Sequence, residues 1–222
     1  MFTDFCEMAA IALSNRIDFA RYNEREERYM QLVKDYTKDD LQLFAECIGL
    51  ITLIYQEDTD QDLLGRLYME LELANKHVGQ YFTPYHLSKL TAGLIVKPEF
   101  VRQAIQENGF TTMLEPACGA GGMVIAYSNI MNSFGCQGHY HVTAIDIASV
   151  CVHMTYIQLY LMGVPAVVLH GNALMPQDKY DPWYTLAHVL GDWSRKNARQ
   201  EPHLIMKRTK QPGETDAMHR TR

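Results

Sequence analysis

The sequence predicts an α/β fold, a parallel sheet with crossover helices preceded by a helical N-terminal region. Three observations predict it. Short apolar runs end near residues 116, 146 and 170, small or turn-forming residues follow each, and helical stretches fill the intervals. Strands that alternate with helices pair in parallel, with right-handed crossovers. Ahead of residue 77 there is no such alternation, and the segment reads as helices throughout.

Each element has its own local reason. The run Asn23-Glu24-Arg25-Glu26-Glu27-Arg28 reads as the solvated face of a helix. Thr37-Lys38-Asp39-Asp40 is a capping-box-like start for the apolar run from Leu41 to Tyr55. Thr59-Asp60-Gln61-Asp62 repeats the device ahead of Leu63, Leu64, Leu67, Tyr68 and Leu71, which share one helical face. Gly79-Gln80-Tyr81-Phe82-Thr83-Pro84 reads as a loop that ends with Thr83 as N-cap and Pro84 as the first helical residue. Lys97-Pro98 stops that helix near Val96. A helix near 99–107, a strand near 111–116 and a helix near 121–133 follow. Next come a strand near 140–146, a helix near 148–162 closed by Gly163, and a strand at 166–170 that runs into Gly171-Asn172-Ala173.

Bulk properties narrow the classes. The 222 residues are 47% hydrophobic and 21% charged, which marks a globular chain with a real core. The longest apolar stretches are interrupted by Gln, Asp or Gly before they could cross a bilayer, and Asp4 and Glu7 stand where a signal peptide would be basic. Five cysteines without a CxxC pair point to a reducing cytoplasm and away from a metal site. Charge is uneven. From Ser194 onward eight Lys/Arg face three Asp/Glu, although the whole chain carries −6. This basic tail is expected to be poorly ordered, and phosphate contact is its alternative use. The division expected is a helical region over 1–76, an α/β unit over 77–193, and the tail over 194–222.

One segment points to a chemistry. Leu114-Glu115-Pro116-Ala117-Cys118-Gly119-Ala120-Gly121-Gly122 puts an acid at a strand end, then a small-residue turn, then a helix. Such a turn lets the backbone approach a bound group closely. Asp146 ends the next apolar run, at about the separation that a nucleoside-binding βαβ unit uses for its ribose contact. Ligands of parallel sheets bind at the carboxyl ends of the strands, where Glu115, the glycine turn, Asp146 and Asn172 converge.

These segments, in this order over about residues 40–175, resemble the N6-adenine DNA methyltransferases, in particular the modification subunits of type I restriction–modification systems. The resemblance rests on the Phe82-Thr83-Pro84 loop, the turn at Glu115-Pro116-Ala117-Cys118-Gly119-Ala120-Gly121-Gly122, the acid at Asp146 and the Gly171-Asn172 pair. It implies a Rossmann-like S-adenosylmethionine-dependent methyltransferase sheet, here incomplete, with S-adenosylmethionine as cofactor and DNA as partner. It also implies roles. Phe82, Thr83 and Pro84 would border the methionine moiety, and Glu115, Cys118, Gly119 and Gly121 would line the cofactor's amino-acid end, with Pro116 also among the cofactor-binding residues. Asp146 would take the ribose hydroxyls, Ile147 would pack on the adenine, and Asn172 and Ala173 would reach its edge.

The family's chemistry lies in a fourth strand followed by Asn/Asp-Pro-Pro-Phe/Tyr, whose acceptor groups hold the amino group of a flipped adenine while an aromatic ring stacks on the base. Here Asp181-Pro182-Trp183-Tyr184 differs from that pattern at one position, and its apolar run comes afterwards, at Tyr184–Leu190. Three readings stay open. Asp181, Pro182, Trp183 and Tyr184 form a displaced active site, or Tyr184–Leu190 is strand four with its loop at Gly191-Asp192-Trp193, or the site is degenerate. The functional expectations follow: an adenine-N6 DNA methyltransferase or modification subunit; a catalytically inactive relative acting as a regulatory or anti-restriction module; or a methyltransferase for another substrate. A sheet that stops this early leaves an edge open, so a partner subunit or a second copy is expected against it.

Overall fold

The computed structural model of the chain describes residues 1–73, 82–175 and 179–198. The expected boundary at residue 76, the start of the Phe-Thr-Pro loop and residues 199–222 of the basic tail lie outside the described residues.

The described residues hold one sheet of four strands, β1 (Thr111–Glu115), β2 (Tyr140–Asp146), β3 (Ala166–His170) and β4 (Asp181–Tyr184), in the order β1-β2-β3-β4. β1, β2 and β3 pair in parallel, with Glu115 opposite Ala144 and Asp146 opposite His170. β4 departs from expectation and runs antiparallel to β3, with His170 opposite Asp181 and Val168 opposite Trp183. Asp181-Pro182-Trp183-Tyr184 is therefore itself the fourth strand. Proline fits there because an edge strand can forgo one N–H. The run after it is helix α9 (Leu186–Leu190), which starts where the Thr185 hydroxyl accepts the His188 N–H. That corrects the reading of Tyr184–Leu190 as a strand.

The N-terminal region is helical as expected: α1 (Phe2–Ser14), α2 (Tyr22–Val33), α3 (Lys38–Glu57) and α4 (Leu63–Glu70). Thr37 and Asp40 form the anticipated capping box. In the second capping segment the cap is Asp62, not Thr59, because the Asp62 carboxylate accepts the Gly65 N–H at 3.0 Å. Between the halves lie α5 (Tyr85–Ile95), α6 (Pro98–Asn108), α7 (Gly122–Ser133) and α8 (Ser149–Leu161). α5 begins one residue later than expected, with Pro84 as its cap.

α8 sets the layering. Every residue from Val150 to Leu159 is buried, which requires neighbours all round the helix. The sheet covers one side, and α1 and α4 pack against the rest. Phe5, Cys6, Ile11, Leu64 and Tyr68 from the helical region thereby share one core with Val142, Ala144 and Val168 of the sheet.

A polar clamp joins the helical region to β4. Arg25 is buried. It donates to the Ser14 hydroxyl, to Asp18 at 3.1 Å and to the Pro182 carbonyl at 2.7 Å, and its guanidinium lies 3.8 Å from the Trp183 ring centroid. Arg21 forms an ion pair with Asp181 beside it. The charged run at 23–28 is thus not a wholly solvated face, because one of its arginines turns inward.

Candidate functional site

The site begins where β1 ends. The Cys118 N–H donates to the Ile145 carbonyl at 2.9 Å, which folds the chain after Glu115 across the tip of β2. Gly119 and Gly121 then take left-handed backbone, with φ of 54° and 100°. Both positions also need the space. A side chain at Gly119 would start 3.1 Å from the Phe82 ring, and one at Gly121 would start 3.1 Å from the Thr155 hydroxyl. The turn leads into α7 with glycine as N-cap and no side-chain cap. Its first N–H groups therefore carry the partial positive charge of a helix start.

The two strand-tip acids organise this turn. One oxygen of Asp146 accepts the Gly119 N–H at 2.8 Å and the other accepts the Ala148 N–H at 2.9 Å. Glu115 accepts the Ala117 N–H at 3.2 Å, and burial holds its carboxyl above the usual carboxylate range. The Gly171 N–H donates to the Asp146 carbonyl at 2.9 Å, so Asn172 and Ala173 leave β3 beside the tip of β2. Ile147 is 68% exposed, and His170 bonds its carbonyl at 3.1 Å.

Phe82 closes the arrangement. Its ring lies over Gly119 and is stacked on Tyr68 of α4 at a centroid distance of 5.4 Å. A cleft of about 220 Å³ forms beneath it, lined by Thr83, Ser88, Glu115, Cys118 and Gly119 among others. A wider hollow of about 420 Å³ shares Asp62, Phe82 and Thr83 with it. The structure thus gathers Phe82, Thr83, Glu115, Cys118, Gly119 and Asp146 at one place, with Gly121, Ile147, Asn172 and Ala173 on adjoining segments. Thr83, Pro84 and Pro116 are exposed at the surface. Burial pushes the Cys118 thiol well above its ordinary range, which suits a small residue in packing.

The residues Asp181, Pro182, Trp183 and Tyr184 stand elsewhere. None lines either hollow. Asp181 is two strands from Asp146 along the same sheet edge, about 10 Å by the spacing of paired strands. Its carboxylate takes Arg21, Arg25 and the indole N–H of Trp183 at 2.9 Å. Trp183 is buried against Arg25, His153 and Tyr156, and the Tyr184 ring packs on His188.

Two residues that sequence reasoning missed hold the site in place. Gln158, inside α8, donates to the Ala120 carbonyl at 2.6 Å and to Asp62 at 3.0 Å, and it accepts from the Tyr55 hydroxyl and the Leu64 N–H. It ties the glycine turn to α3 and α4. The available signal was a glutamine within a mostly apolar helical stretch. The other is Asp62. Among the described residues no group of three or more His, Cys, Asp or Glu is placed to hold a metal ion, and no helix is long and apolar enough to cross a membrane.

The described residues thus combine a four-stranded α/β sheet with an acid-flanked glycine turn at the carboxyl ends of its parallel strands, the edge at which ligands of such sheets bind. The chain matches the N-6 DNA methylase family over residues 59–185 and belongs to it. That span runs from the loop ahead of α4 to the residue after β4, so it includes both the cleft and the strand bearing Asp181. A crystal structure from Listeria monocytogenes, described as a class I S-adenosylmethionine-dependent methyltransferase, is 16% identical with a TM-score of 0.34. The match covers 76% of this chain and 54% of that one, so the chain spans about half the length of that protein. No curated protein matches the sequence.

Proposed function

We propose that this chain binds S-adenosylmethionine in the cleft beneath Phe82 and acts as an adenine-N6 DNA methyltransferase or the modification subunit of one. The observation that carries the reading is the meeting of one loop aromatic, Phe82, with two strand-tip acids around a single glycine turn. Asp146 spends one acceptor site per oxygen on the backbone. A carboxylate offers about four such sites, so two remain for ribose hydroxyls. The exposed Ile147 offers an apolar surface to an adenine ring, and Asn172 and Ala173 stand beside it. The bound group supplies a methyl on a sulfonium, and the protein's part is to fix its direction and exclude water.

A second reading has an observation of its own. The ion pairs on Asp181 and the burial of Trp183 engage both side chains in packing, which favours a cofactor-binding member that does not transfer methyl groups and acts through a partner. Transfer of tritiated methyl to unmethylated DNA separates the two. If Asp181 holds the adenine amino group, Asp181→Ala removes transfer while leaving cofactor affinity intact. Binding without transfer in the native chain supports the regulatory or anti-restriction reading instead.

The reading also includes a partner subunit or a second copy. It is expected at the edge beyond the last strand, but Arg21 and Arg25 of the helical region engage β4 there, so it is placed at β1 instead. Among the described residues β1 pairs only with β2, and Leu114 is 63% exposed. Leu90, Leu94 and Phe100 on α5 and α6 are also exposed. An open strand edge bearing an exposed leucine is a surface that folded proteins usually cover or pair. Sedimentation is expected to show mass rising with concentration, and Leu114→Lys is expected to suppress the rise. A constant monomer mass contradicts a second copy.

A further inference from the structure

We infer that Asp62 and Ser88, together with the first turn of α7, form a clamp for the zwitterionic α-amino-acid end of the methyl donor; this rests on the donor-site reading above. Neither residue belongs to the strand tips. Asp62 caps α4 from one side of the cleft, Ser88 sits within α5 on another, and both line it.

Each has a group left over after its structural work. Asp62 uses Oδ1 alone for both the Gly65 N–H and the Gln158 amide, each at 3.0 Å. Its Oδ2 accepts no hydrogen bond from the described residues and points at Gly122, 3.1 Å from where a Cβ on that glycine would stand. Arg66, on the same helix, pairs with Glu70 at 3.9 Å rather than with Asp62. A carboxylate this buried, with Arg66 acting on it only from a distance and burial raising its pKa, is costly to keep charged unless a ligand supplies a cation. Ser88 is 1% exposed, and its hydroxyl has no hydrogen-bond partner. It lies 3.5 Å from the same point beside Gly122.

Gly122 explains why the two groups meet. Its backbone is not left-handed, so the glycine is needed for room rather than for its conformation. A side chain there would fill the space between Asp62, Ser88 and the start of α7. Beyond it, α7 begins with no side-chain cap, so the first N–H groups of the helix are unclaimed by a cap, and Gly122 and Met123 line the cleft. A negative oxygen stands beside a hydroxyl and a helix N-terminus. The oxygen suits an ammonium, and the other two suit a carboxylate. An α-amino acid carries that pair of charges on one carbon.

The test is calorimetric titration of the full chain with S-adenosylmethionine and with 5′-methylthioadenosine, which lacks the amino-acid end. Asp62→Asn keeps a good cap, so the fold is retained. It is expected to weaken S-adenosylmethionine roughly 10- to 100-fold and to leave 5′-methylthioadenosine unchanged. Ser88→Ala removes a hydroxyl that has no partner, so it is expected to weaken S-adenosylmethionine without lowering the unfolding midpoint. Equal affinities for S-adenosylmethionine in the native chain and both variants overturn the clamp alone. A parallel fall for both ligands overturns it too. Native chain that binds neither ligand overturns the donor site itself.

Discussion

Replacing Arg25 with alanine is expected to lower the free energy of unfolding by about 3–5 kcal/mol, the usual loss when one partner of a buried ion pair is removed. The side chain is 5% exposed and serves five groups from three directions. Without it the Asp18 carboxylate, 11% exposed, loses its salt bridge, the Ser14 hydroxyl loses its donor, and the Pro182 carbonyl at the sheet edge goes unpaired. Asp181 would keep only Arg21 among its two cations. The Trp183 ring would lose the guanidinium stacked on it. Arg25→Lys should recover little, because an ammonium cannot span Ser14, Asp18 and Pro182 as a planar fork does. Urea unfolding measures the loss. A midpoint for Arg25→Ala within experimental error of the native value would show that the helical region is not clamped to β4 through this residue.

Acid is expected to unfold the protein through its buried histidines. Burial and the facing His188 pull His141 down to about 3, and burial pulls His153 and His188 down to about 4. His141 and His188 face each other at 2.8 Å between ring nitrogens. Asn197 and Ser194 bond the outer nitrogens, and Trp193 packs on the His141 ring. His153 is wedged against Trp183 with a ring nitrogen unpartnered. The folded pKa of each lies below the unfolded value, so the unfolded chain binds more protons below about pH 6.5. Stability from these groups is therefore present above about pH 6.5 and falls away as pH drops toward 3–4. One such histidine removes about 2 kcal/mol between about pH 6.5 and pH 4.5. Urea midpoints taken across that range should fall steeply. A flat profile would mean that these rings accept protons without leaving the core.

The parts of the fold legible in the sequence are those with a strong local signal. β2 and β3 have the limits read from their apolar runs, since a buried parallel strand is a short hydrophobic stretch ended by turn residues. The glycine turn was legible because left-handed backbone and close approach by Phe82 leave few residues that fit. β4 was not. Four residues with a proline and an acid carry no strand signature, and their pairing comes from β3 on one side and Arg25 on the other. Arg25 itself hides in a charged run, because helical spacing does not reveal which charge a tertiary partner turns inward. Asp62 and Ser88 were equally hidden. Their meeting at Gly122 depends on how α4, α5 and α7 pack, and no local pattern encodes it.

On the proposed reading, Phe82, Glu115, Gly119 and Asp146 enclose one methyl-donor site. Titration of the native chain and of Asp146→Ala with S-adenosylmethionine tests it most directly. A single saturable site is expected, weakened roughly 10- to 150-fold by the substitution as a charge-assisted acceptor is lost. No heat of binding in the native chain, or equal affinity in the two proteins, would contradict the account.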